Sequence, residues 1–196
     1  MTSNRKNWLI ILGIAVPTSI LSAAYLNALG TSDENIQLLL RVTARIAFLI
    51  YLLVFVASPL RTLLATNMTT WLLSERRSFG LAFATVHLLH AALIVYLADT
   101  SASFAFEFPK HLFGSGVYVL IVLMVITSFD GPARKLGSVN WRRLHTLGLY
   151  AIGIAFVQTL PSSNAAGWLE PIRLSFAILT SAAILIRLSA FIKRRR

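Results

Sequence analysis

The sequence predicts an all-α integral membrane protein, a six-helix transmembrane bundle with both termini on the cytoplasmic side. Three observations carry this reading: an excess of apolar residues, their grouping into six stretches of near-bilayer length, and the alternation of basic charge between those stretches. Of 196 residues, 57% are hydrophobic and 13% charged, with a mean hydropathy of +0.74. A soluble domain of this size has no use for so much apolar surface, whereas helices facing lipid do.

The six stretches are 8–29, 41–60, 79–98, 112–129, 144–160 and 171–192, each near the ~20 residues that cross a bilayer as a helix. Leu, Ile, Val, Ala and Phe fill them without the two-residue alternation of strands, so helices are expected. The fifth is short, and the sixth carries Arg187. Connections are short and hold no Gly/Ser linker, heptad or fixed-period repeat, which predicts a single domain over residues 1–196. Arg5 and Lys6 precede the first stretch as they would a secretory signal. Its apolar run exceeds the about 7–15 residues of a signal core, so an uncleaved first helix is expected.

Basic charge marks the sides. The N-terminus, the 61–77 and 130–143 loops and the tail carry 13 of the 18 Lys and Arg residues, while the intervening segments carry four, together with five of the seven acids. This is the positive-inside pattern for six helices. Trp8, Trp71, Trp141 and Trp168 fall at the ends of stretches or in loops, where an aromatic belt belongs. The formal charge of +11 is thereby a topology signal, with the lipid bilayer as partner and no nucleic acid. Cysteine is absent, which excludes disulfides, thiolate metal sites and a cysteine nucleophile.

Chemistry concentrates in "RRSFGLAFATVHLLH", residues 76–90. His87 and His90 are three residues apart, about 60° around a helix. His90 follows Arg77 by 13 residues, which puts it ~20 Å from the cytoplasmic face at the helical rise. His145 opens the fifth stretch near that face, and Gln158 lies 13 residues further on, at the level of His90. Arg45 sits about one turn inside the outer end of the second stretch. An ionisable group at such depth is a functional candidate, because leaving it unpaired in lipid is costly. Plainer roles stay open: a histidine can serve only as an interhelical hydrogen-bonding group, Arg45 can snorkel to the surface, and His111 in an outer loop reads as solvated. Histidines at two depths on two helices, with an arginine near the outer one, suit haem held between helices, with imidazole for iron and cations for propionates. No H-E-x-x-H, G-x-S-x-G or phosphate-cradling glycine loop occurs. Carboxylates within the stretches are too scarce for an ion-coupled transporter.

The segment "SERRSFGLAFATVHLLHAALIVYL" resembles the third helix of the ferric reductase-like transmembrane family. The branch it looks most like is the haem-binding membrane subunits of bacterial methionine-sulfoxide reductase systems. "ARIAFLIYLLVFVASPLRTL" is similar to that family's second helix, and "TSFDGPARKLGSVNWRRLHTLGLYA" to its fourth-to-fifth connection, including W-x-x-L-H at the start of the fifth helix. The resemblance runs in register over residues 41–160. It implies a multi-pass protein of the bacterial inner membrane carrying b-type haem, one or two groups, and passing electrons to an outer-face acceptor.

On the same resemblance His90 matches the third-helix haem ligand and His145 the first fifth-helix ligand. Arg77 stands where oxidases of the family have an inner ligand. The family's second fifth-helix histidine is Gln158 here, a poor iron ligand. An outer haem would then be five-coordinate, held by His87 in a rearranged geometry, or absent. Residues 1–196 hold no region large enough for an NADPH- and flavin-binding domain, so electrons are expected from a separate donor protein or a larger membrane complex. The resemblance leaves a bound flavin open. The competing expectation is a haem-free scaffold or accessory subunit that kept the fold and lost the electron path.

Overall fold

A computed structural model describes residues 3–101, 108–159 and 170–195. Among these the chain is entirely helical: α1 (Ser3–Leu29), α2 (Asp33–Leu63), α3 (Asn67–Ser74), α4 (Arg76–Thr100), α5 (Phe108–Ile126), α6 (Asp130–Leu136), α7 (Ser138–Thr159) and α8 (Glu170–Arg195). Every expected stretch falls on a helix. Their limits differ where polar residues carry a helix past its apolar part. α2 begins eight residues before the expected 41 because Ser32 caps it, its Oγ accepting from the Asn35 amide at 3.4 Å. Asp33 and Glu34 add negative charge in its first turn. The fourth stretch ends early, at Ile126. The last residue of the fifth, Leu160, and the belt residue Trp168 lie outside the described residues.

Among the described residues, four helices are long and apolar enough to cross a membrane: Trp8–Leu29, Asp33–Leu63, Arg76–Thr100 and Leu174–Arg195. A fifth is reached if His111–Ile126 and Asp130–Leu136, bent by 108° at a short break, form one span. α7 is not among them, since Asn140, Arg142, Arg143, Gln158 and Thr159 dilute its 22 residues. Leu9, Val95 and Leu185 are 70%, 67% and 62% exposed. Such display of large apolar side chains suits hydrocarbon as solvent rather than water.

The chain divides into two units, one of Met1–Val54 with Glu75–His111, the other of Phe55–Ser74 with Leu112–Arg196. In the first unit α1 packs along α4. Ile36 and Leu39 of α2 meet Leu93 and Leu97 of α4, with Tyr25 and Leu26 of α1 against them. Gly30, at φ +83°, closes α1 in the left-handed region that glycine alone adopts without penalty. Asn35 then staples the turn: its Nδ2 donates to the Leu29 and Gly30 carbonyls at 2.9 and 3.0 Å, and its Oδ1 accepts from the Tyr25 hydroxyl at 3.0 Å. Ser101, at the C-terminus of α4, donates to Asp33. The α4 residues Phe79, Ala82, Phe83, Val86, Leu93 and Leu97 are buried at helical spacing, and His90 falls within that stripe.

In the second unit Leu149, Ile152 and Phe156 bury one face of α7. Gly148 on that face lets α5 approach closely, for a Cβ there would stand 2.1 Å from the Met124 sulfur. The last turns of α8 run beside the C-terminus of α2. Arg194 Nη2 donates to Thr62 Oγ1 at 2.8 Å and Ser58 Oγ at 3.2 Å, and Lys193 Nζ to the Leu63 carbonyl at 3.3 Å. Cations at the negative end of a helix dipole are favourable. The basic tail therefore closes α2 as well as carrying the charge bias.

Candidate functional site

The site in the first unit is built on α4. Phe83, His87 and His90, spaced i, i+4 and i+7, share one side of that helix. The Phe83 and His87 rings stack at 5.2 Å between centroids and 21° between planes; His87 and His90 stack at 5.4 Å and 7°. Tyr51 of α2 leans on Phe83 at 6.2 Å and 55°. His87 is thereby one rung of an aromatic ladder.

The end of the ladder is held from α2. Thr43 is wholly buried, at 0% exposure. Its Oγ1 donates to the Leu39 carbonyl at 2.7 Å, the usual way a threonine hydroxyl is satisfied inside an apolar helix. The same oxygen lies 2.9 Å from Nδ1 of His90. With the hydroxyl proton given to Leu39, the imidazole is the donor in this pair, an assignment that puts the proton on Nδ1 and the lone pair on Nε2. Haem, which the resemblance implies, needs a nitrogen lone pair from a ring whose other nitrogen is anchored. His90 fits that requirement.

His145, in the second unit, is held differently. Its Nε2 lies 3.1 Å from Thr127 Oγ1, and Thr127 donates its own proton to the Leu123 carbonyl at 2.7 Å. Trp141 stacks on the imidazole at 4.1 Å and donates from Nε1 to the Thr127 carbonyl at 2.8 Å. The cluster joins the end of α5 to the start of α7. By the same proton accounting Nε2 of His145 is the donor. Ligation through Nε2 requires this hydrogen bond to open.

Arg45 is half-buried on α2, two residues past Thr43 and hence about 200° around the helix from it. Arg77 is exposed in the first turn of α4, Gln158 is exposed near the end of α7, and His111 is half-buried at the start of α5. His90 and His145 belong to different units. Sequence reasoning passed over Thr43 and Thr127, because a threonine in an apolar helix usually bonds only its own backbone. The one available signal was that each lies in an apolar stretch that precedes one carrying a histidine.

No family model matches the chain, and no solved structure matches it. It is 27% identical over 142 residues to the protein-methionine-sulfoxide reductase heme-binding subunit MsrQ of Deinococcus radiodurans, covering 70% of this chain and 68% of that protein. It is 29% identical over 136 residues to the MsrQ of Ralstonia nicotianae, covering 64% of this chain and 60% of that protein. The chain is thus similar, over roughly two thirds of its length, to heme-binding subunits of protein-methionine-sulfoxide reductases.

Proposed function

We propose that this protein is a b-type haem subunit of the bacterial inner membrane, moving electrons from a separate donor to an acceptor at the outer face. The observation that carries the proposal is the Thr43–His90 hydrogen bond, which leaves Nε2 as the lone-pair nitrogen. The similarity to heme-binding MsrQ subunits supports it. His90 is the residue we assign to hold the iron. When bound, haem supplies a one-electron couple, and the protein sets its orientation and dielectric surroundings.

The chain's own residues do three things in this reading. Thr43 fixes the tautomer and the plane of the His90 ring. The Phe83–His87 stack backs that ring with apolar and aromatic surface. The apolar face of α4 keeps water from it. The charge bias supports six spans with both termini cytoplasmic, α7 being the fifth despite its polar ends.

A second reading, a haem-free scaffold subunit, draws on two observations. Gln158 replaces the histidine expected by resemblance and is exposed, and His145 already commits Nε2 to Thr127. His90→Ala separates the readings. In the haem reading it removes most Soret absorbance from protein purified out of haem-replete cells while far-UV helicity stays. In the scaffold reading neither the wild type nor the variant shows a Soret band.

A further inference from the structure

Two residues that look like faults in apolar helices meet in the second unit. Pro59 stands inside α2. It has no N–H, so the Phe55 carbonyl four residues earlier lacks its helical donor. In hydrocarbon no water replaces that donor. Arg187 stands inside α8, a charge within an apolar span.

The structure brings the second to the first. Arg187 Nη1 donates to the Phe55 carbonyl at 3.0 Å, and Nε to the Tyr150 hydroxyl at 3.1 Å. The guanidinium carbon lies 4.4 Å from the centre of the Phe55 ring and 5.0 Å from that of Tyr150. These rings meet edge-on at 6.2 Å and 88°, so the cation sits in an aromatic corner while its N–H groups point at oxygens. The contact continues along both helices. Arg194, seven residues past Arg187, reaches Ser58 and Thr62, which lie three and seven residues past Phe55.

We infer that Arg187 is the surrogate donor for Pro59: a positioning residue whose guanidinium supplies the hydrogen bond the proline cannot make and so ties α2, α7 and α8 together. The planar fork matters, because one flat group must stack on rings and donate in diverging directions. The point charge of lysine does only part of this. A snorkelling arginine, by contrast, would use its stem for cover and send its head to water, indifferent to Pro59.

That difference gives the test, a double-mutant cycle on the full chain in lipid nanodiscs with the thermal midpoint read by circular dichroism. Arg187→Met is expected to lower the midpoint by several degrees. In the Pro59→Ala background, where residue 59 regains its N–H, the same change should cost less than half as much. Arg187→Lys should fall between wild type and Arg187→Met. Equal losses in both backgrounds, or no loss from Arg187→Met alone, overturn the inference. If Arg187→Met alone does not fold, the Pro59→Ala/Arg187→Met protein is expected to fold, and its failure likewise overturns it.

Discussion

Oγ1 of Thr43 lies 2.9 Å from Nδ1 of His90, and the hydroxyl gives its own proton to the Leu39 carbonyl at 2.7 Å. One threonine on α2 thus decides which nitrogen of a histidine on α4 is basic. Anchoring a ligand imidazole at its far nitrogen fixes ring orientation and raises ligand basicity.

Thr43→Val keeps the volume and removes the hydrogen bond. It is expected to weaken haem binding about 10–100-fold, the usual effect of losing such a partner. Thr43→Ser, which keeps the hydroxyl, should bind nearly as wild type. Haem titration of apoprotein checks both, and equal affinity for Thr43→Val and wild type would remove Thr43 from the account.

His87 presents a ring face to His90, at 7° between planes, rather than a lone pair aimed at a point between them. It is therefore expected to back the ligand and not to share the iron. Reduced wild-type protein should bind carbon monoxide readily, and His87→Phe, which preserves the stack, should do so equally. A wild type that resists carbon monoxide while His87→Ala accepts it would make His87 the second ligand.

Gly148 admits Met124 where a Cβ would stand 2.1 Å from the sulfur. Gly148→Ala is expected to lower stability by about 1–3 kcal/mol, the range for overpacking a close contact. Met124→Ala should restore much of the loss in the double variant, as the clash partner is gone. Urea or SDS unfolding midpoints of the four proteins measure this.

The six longer helices were legible in the sequence because apolar residues cluster in them, and His90 was legible because few polar residues interrupt α4. The short α3 and α6 were not, since eight and seven residues are too few for a helical apolar period to stand out. α3 is closed locally, Thr66 and Thr69 exchanging amide-to-hydroxyl bonds at 3.2 and 3.3 Å. The partner of His90, Thr43, was not legible, because pairing depends on which face of α2 meets α4. Lys193 and Arg194 read as topology charges alone; that they close α2 needed the register of α8 against it.

Topology makes a separate claim. With the basic tail and Arg5/Lys6 retained on one side, a reporter fused after Arg196 is expected to be active only when it is of the cytoplasmic type. A periplasmic-type reporter active at that position would contradict the six-span arrangement.

The most direct measurement is the absorption spectrum of the full chain, purified from haem-replete cells, oxidised and then reduced with dithionite. A Soret band that shifts on reduction, a bound group extractable as b-type haem, and loss of both in His90→Ala are the predicted results. Folded wild-type protein without a Soret band, or one whose haem survives His90→Ala unchanged, would contradict the account.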